Sequence, residues 1–210
     1  MKLFRRDIRA AKVVAVGALL GVALANSGCA VMFAGAAVGA GASAGVAANQ
    51  ERTVGNAVDD TTISVKVSDQ LFQKDPMLTR TIGVDVVEGR VLLTGTVQKS
   101  EDRVEATRLT WQVAGVKEVI NEVQVTERSG VVGLSKDTWI TTQMRSKLLT
   151  DGGVDNVNYN VETVNGVIYL IGIAQSQQEL EKVTELARNI SGVRKVVSHV
   201  VMKSDTRRKS

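Results

Sequence analysis

The chain contains one cysteine, Cys29, and one histidine, His199, and this count limits the chemistry available to it. A catalytic thiol needs a neighbouring base, and a structural zinc ion needs about four ligands, mostly Cys or His. Carboxylates are scattered, and no pair is set apart as an acid and a base. His199 lies at an alternating position of a predicted strand, where we expect it to face solvent. We predict a protein that is not an enzyme, with no catalytic residue, metal site or cofactor.

Cys29 follows a segment organised like a bacterial export signal. Residues 1–28 begin with basic side chains, continue with an apolar run and end in small residues. Residues 26–29, Asn-Ser-Gly-Cys, resemble the lipobox of bacterial lipoproteins, with Asn26 where a Leu-like residue is usual. The resemblance implies a lipidated Cys29 at the mature N-terminus, and Ala30 after it implies the periplasmic face of the outer membrane. The alternative is an uncleaved membrane anchor.

The isoelectric point of the chain, about 9.3, reflects the export signal. The charges of residues 1–28 account for the whole formal charge of +4, which leaves residues 29–210 neutral. Residues 130–133 have the Gly-x-x-Gly spacing of some RNA-binding domains, but they lie in a linker of this neutral portion. We therefore predict no nucleic-acid partner.

Residues 29–57 are rich in Gly and Ala and carry no charge from residue 31 to residue 49. This composition predicts a flexible tether beyond the lipidated cysteine. The alternative is a membrane helix that pairs through the spacings Gly35/Gly39 and Gly41/Gly45.

A shift of 77 residues aligns residues 58–125 with residues 135–202 without a gap. We predict two domains with these bounds, a linker at 126–134 and a basic tail at 203–210 of open role. Small domains bury a limited core, so we expect the two to pack on each other. Six glycines match in pairs under the shift: Gly89 with Gly166, Gly95 with Gly172, and Gly115 with Gly192.

Each repeat has the hydrophobic pattern of an α+β domain with the order αββαβ, in which a three-stranded sheet packs against two helices. Glu88-Gly89 and Asn165-Gly166 predict hairpin turns between the first two strands. We expect Gly95 and Gly172 to end or bend the second strand, and Gly115 and Gly192 to stop the second helix.

The first helix of the second repeat, from Asp137 to Leu149, carries more apolar surface than a core requires. We expect Asp137 to be its N-cap. Ile140, Met144 and Leu148 recur every four residues and predict a buried stripe. At 100° per residue, Trp139 points away from this stripe and lies only about 80° from Leu149. A Trp and a Leu are therefore predicted to share the outer face.

The same helix is basic, which favours a membrane interpretation. Residues 135–149 include Lys136, Arg145 and Lys147 against one acidic residue, whereas the aligned residues 58–72 have a charge of −2. Trp with basic neighbours is typical of a helix that docks on anionic headgroups. The alternative is that Trp139 packs between the two domains.

The two repeats resemble the BON-domain family. The resemblance rests on Gly95 with the run Gly-Val-Lys-Glu-Val at 115–119, and on Gly172 with Gly-Val-Arg-Lys-Val at 192–196. It implies two packed domains of which the second docks on anionic phospholipid, such as phosphatidylglycerol or cardiolipin, through Trp139 and Leu149. Outer-membrane integrity is the implied role. The alternative is a protein-interaction module for the outer-membrane protein insertion machinery or the division site.

Overall fold

A computed structural model gives the fold of residues 54–126, 134–155 and 158–209. The first domain contains α1 (Val54–Lys74), α2 (Pro76–Thr81), β1 (Ile82–Val87), β2 (Arg90–Val97), α3 (Ser100–Trp111), β3 (Glu118–Asn121) and β4 (Gln124–Val125). The second contains α4 (Leu134–Thr150), β5 (Tyr159–Val164), β6 (Val167–Ala174), α5 (Gln177–Arg188) and β7 (Lys195–Met202), followed by a 3₁₀ turn at Thr206–Lys209. The predicted α+β class is confirmed, with two departures from αββαβ in the first domain.

The strands pair in the same order and register in the two domains. Ile82 pairs with Gly95 in the antiparallel β1–β2 hairpin, and Tyr159 pairs with Gly172 in β5–β6, one 77-residue shift later. The last strand of each domain runs parallel to the second: Arg90 pairs with Glu118, and Val167 with Lys195.

The short helix α2 has no counterpart in the second domain. Asp75 caps it by accepting a hydrogen bond from the backbone N–H of Met77 at 2.8 Å, and Pro76 occupies its first turn. Proline suits that position because its fixed φ is helical and its missing N–H has no partner there anyway. Gly152 and Gly153 replace this pair in the second domain, where the chain forms a turn.

The last strand of the first domain is interrupted at residues 122 and 123, whereas β7 is continuous. Asn121 bonds locally at this interruption: its side-chain oxygen accepts from Val123 N at 3.0 Å, and its amide donates to Arg103 O at 2.9 Å. A local side-chain bond of this kind competes with the sheet ladder. Both segments still run parallel to β2, so β3 and β4 occupy the place of one strand.

The helices cover one face of each sheet, and the opposite faces of the two sheets meet. The cluster at this meeting is formed by Val87 and Leu92 of the first sheet and by Tyr169, Ile171, Ile173 and Val201 of the second. The layers are therefore helix, sheet, sheet, helix, and the expectation that the domains pack together is confirmed. This cluster and both domain cores lie within residues 54–202. A protein that begins at Val54 retains all of them.

The domain interface is close to two-fold symmetric. β1 contacts β6, and the repeat-equivalent strands β5 and β2 are also in contact. Near the axis, Nε2 of His199 lies 2.9 Å from Oε1 of Glu122, and these two residues are 77 positions apart. Polar bonds surround the apolar cluster: Arg90 donates to the His199 carbonyl at 3.0 Å, and Gln124 donates to the Tyr169 hydroxyl at 3.1 Å.

Candidate functional site

The outer face of α4 is exposed. Ile140, Met144 and Leu148 are buried in the second domain's core, which confirms the predicted stripe. Trp139 is 62% accessible and Leu149 is 72% accessible, so both project from the outer face. The alternative in which Trp139 packs between the domains is wrong, because no residue of α4 belongs to the interface cluster.

The three basic side chains of α4 do not act together. Lys136 and Lys147 are three and eight residues from Trp139. In a helix with about 3.6 residues per turn, this spacing places both lysines on the Trp139 side. Arg145 lies beyond Leu149 on the other side, where Nη2 donates to the Val161 carbonyl at 3.0 Å and sits 3.9 Å from Glu162. Two lysines therefore share the Trp139 side of α4, with Lys147 about 12 Å along the helix axis from Trp139, and the arginine is held against the edge strand β5.

Asp137 is not the N-cap that its position suggested, because α4 begins three residues earlier at Leu134. Its buried carboxylate instead accepts the backbone N–H groups of Asn165 and Gly166, at 2.7 and 2.8 Å. These residues form the β5–β6 turn, in which both have positive φ. In the first domain Asp60 accepts from Glu88 and Gly89 in the same way, both at 2.8 Å. Each aspartate thus fixes a hairpin turn to the first helix of its domain.

The matched glycines allow segments to approach closely, and four of them do not lie at the ends of strands or helices. Gly95 and Gly172 do not end the second strand, which runs on for two residues. A Cβ at Gly95 would collide with the Thr81 carbonyl, and one at Gly172 with the Asn158 carbonyl. Gly115 and Gly192 do not stop the second helix either, because α3 and α5 end four residues earlier, at Trp111 and Arg188.

An open groove of about 630 Å³ lies between α4 and β5 and reaches the first domain. Asp85 lines it and accepts a hydrogen bond from the Asn160 amide at 3.1 Å. Burial, and then the charge of Glu162, raise the pKa of Asp85 to about 6, against the opposing effects of Asn160 and Arg145. This acid therefore takes up a proton more readily than an ordinary aspartate.

His199 does not face solvent as expected. Its ring is 23% accessible and is paired with Glu122 across the domain interface. The expectation failed because alternation assigns a residue to a face of a sheet without revealing that a second domain covers that face. Within the described ranges, no group of three His, Cys, Asp or Glu side chains is arranged to hold a metal ion.

The basic tail is attached to the first domain. Arg208 forms two bonds to the Glu88 carboxylate, at 2.8 and 2.9 Å, and a third to the Lys203 carbonyl at 2.8 Å. Both partners of the ion pair are nearly buried, with side-chain accessibilities of 13% and 11%. The tail thus connects the end of the second domain to the first hairpin turn. The sequence did not predict this contact, because no nearby residue pattern indicates that Glu88 pairs with Arg208.

Comparison with known proteins identifies the family. The BON domain matches residues 59–127 and 136–204, so this chain belongs to the BON-domain family. It is 37% identical over 181 residues to the outer membrane lipoprotein DolP of Haemophilus influenzae, covering 85% of this chain and 91% of the relative. It is also 41% identical over 147 residues to an uncharacterized protein of Anaplasma centrale, covering 70% of this chain and 96% of that protein. A 21 kDa hemolysin of Actinobacillus pleuropneumoniae is 36% identical over 148 residues, covering 70% and 75%.

The expected lipidation site, Cys29, lies outside the described residues, as do the export signal and most of the tether. Among the helices that are described, none combines the length and the hydropathy needed to cross a membrane.

Proposed function

We propose that this protein is a lipid-anchored component of the cell envelope, at the periplasmic face of the outer membrane. Its second domain binds anionic phospholipid through the outer face of α4. It supports membrane integrity by binding and not by catalysis. The observation that carries this proposal is the exposed Trp139 on the same side of α4 as Lys136 and Lys147.

The first domain provides an internal comparison. Under the 77-residue shift, Trp139 replaces Thr62, and Lys136 and Lys147 replace Asp59 and Gln70. Both domains have the same first helix, hairpin, second helix and parallel last-strand pairing, so the fold does not require an aromatic residue or lysines at these positions. Their presence in one copy supports a binding role for that copy.

The physical chemistry of this face fits an anionic bilayer. An indole ring is stable at the boundary between headgroups and acyl chains, where its apolar body is buried and its N–H stays wet. Each lysine near an anionic surface contributes about 1 kcal/mol of attraction. Leu149 extends the apolar contact by about 15 Å along the helix from Trp139.

Anchoring at Cys29 is supported by the lipobox-like sequence and by the relative DolP, an outer membrane lipoprotein. Replacing Cys29 with Ala is expected to leave the protein uncleaved or to release it from the outer membrane. Mass spectrometry of the mature protein tests the modification directly. An unmodified thiol at Cys29 would exclude lipid attachment.

Phospholipid binding is tested by flotation of the segment 54–210 with liposomes, since this segment lacks Cys29. Binding is expected with phosphatidylglycerol or cardiolipin and not with zwitterionic lipid, and added salt should weaken it. The substitution Trp139→Glu is expected to lower the affinity about tenfold or more, because it removes interfacial aromatic surface and adds a repelled charge. Its melting temperature should not change, since Trp139 is exposed.

Thr62→Glu, at the matched position of the first domain, is the control and should leave flotation unchanged. If Trp139→Glu floats as well as the unmodified segment, the lipid site is not on α4. That result would favour the alternative proposal, in which the outer face of α4 is the contact surface for a protein of the envelope assembly or division machinery.

A further inference from the structure

The first domain exposes an apolar stripe along α1. Val58, Val65 and Phe72 are spaced by seven residues, so they lie in one line along the helix. They are 60%, 64% and 55% accessible. The line is about 21 Å long and points away from the core stripe of Ile63, Val67 and Leu71.

The neighbouring helix α3 also exposes apolar side chains. Val104 and Trp111, again seven residues apart, are 69% and 52% accessible. α1 and α3 lie side by side, and Lys74 of the first pairs with Glu105 of the second at 3.5 Å. We call the five side chains the domain-one face: Val58, Val65, Phe72, Val104 and Trp111.

The fold does not demand this surface. The matched positions of the second domain hold four polar residues and one leucine: Ser135, Thr142, Leu149, Glu181 and Arg188. Contiguous exposed apolar surface on a folded domain marks an interaction site.

The occupant is not an anionic membrane. α1 and α3 together carry six acidic and four basic side chains, an acidic excess that anionic headgroups repel. The helix layers of the two domains also lie on opposite sides of the paired sheets, so a bilayer on α4 leaves the domain-one face pointing away from it. A protein surface of mixed charge fits better.

We propose that the occupant is a second copy of this chain, and that two domain-one faces pack antiparallel about Val65. The stripe is symmetric about this residue, so a two-fold axis there places Val65 against Val65 and Val58 against Phe72 of the other copy. A small side chain then meets a large one at both ends. Asp69 meets Thr61, and Lys66 meets Ser64, so neither of these α1 charges faces a like charge of the other α1.

The area of the face predicts a weak dimer. Five large side chains that are more than half accessible expose on the order of 500 Å² per copy, which places the pair near the lower limit of specific interfaces. Dimerisation in the cell rests on the lipid anchor proposed above: confinement of both copies to one membrane raises their effective concentration, so that a dimer that is weak in solution forms there.

Cysteine cross-linking of the full chain in intact cells tests the arrangement. With a membrane-permeant thiol oxidant, Val65→Cys is expected to give a covalent dimer, because the two sulfur atoms meet at the axis. Thr142→Cys, at the matched exposed position of the second domain, should give no more dimer than the unmodified chain. Equal yields from the two variants would overturn the proposal. This result does not depend on lipid binding by Trp139.

The register gives a second, independent readout. Val58→Cys and Phe72→Cys, produced together in one cell, should cross-link to each other, and each produced alone should give only the background of the unmodified chain. Val65→Glu added to both should abolish the product, while Thr142→Glu should leave it. Cross-linking that survives Val65→Glu would exclude the proposed packing.

Discussion

Asp137→Asn is expected to lower the free energy of unfolding by about 3 kcal/mol. The carboxylate accepts two backbone N–H groups of the β5–β6 turn, and one of these bonds is made in a buried position. An asparagine side chain has a single acceptor atom, so its NH₂ group would point at one of the two donors. Urea-induced unfolding of the segment 54–210, followed by circular dichroism, measures the loss.

Asp59→Asn is the matched control, because Asp59 is exposed and adjacent in sequence to the equivalent turn-binding residue Asp60. It should change stability by less than about 0.5 kcal/mol, as surface substitutions usually do. A similarly small effect of Asp137→Asn would mean that the turn holds its geometry without the carboxylate.

Gly172→Ala is the second substitution with a large expected effect. The added methyl group would collide with the Asn158 carbonyl oxygen, and the obstacle is backbone and not a flexible side chain. The two segments must separate, which breaks the pairing of Tyr159 with Gly172. We expect a loss of about 3 kcal/mol, or a fall in melting temperature of about 6–12 °C for a protein of this size.

Gly152→Ala is the control for this prediction. A Cβ at Gly152 has no atom within 4 Å, so thermal unfolding should hardly change. Equal melting temperatures for Gly172→Ala and the unmodified protein would show that the Asn158 segment moves aside without cost.

The parts of the fold that were predicted correctly depend on local periodicity. The stripe of Ile140, Met144 and Leu148 and the exposure of Trp139 follow from helix geometry alone. The helix α2 also has a local sequence signal, since Asp75-Pro76 is typical of a helix start. The domain interface also left a signal: β6 is apolar almost throughout, which indicates a strand buried on both faces.

The contacts that were missed join residues far apart in the chain. An aspartate at the start of a helix has the same sequence signature whether it caps that helix or holds a turn 28 residues later. Its recurrence at Asp60 and Asp137, each followed at that distance by a hairpin turn, was the available signal. The contacts of Arg145 and Arg208 have no comparable sequence signal, because the sequence around a basic surface residue does not indicate which carbonyl or carboxylate the residue will bind.

The near two-fold interface has a consequence for how such a protein can diverge. In a symmetric pair of identical chains, a residue on the axis faces its own copy, and a glutamate there would repel itself. Fusing the two copies into one chain removes this restriction, because each partner position then mutates independently. Glu122 and His199 occupy equivalent positions and yet are complementary. One chain that contains both copies can therefore carry this asymmetric pair, whereas a homodimer of a single domain cannot.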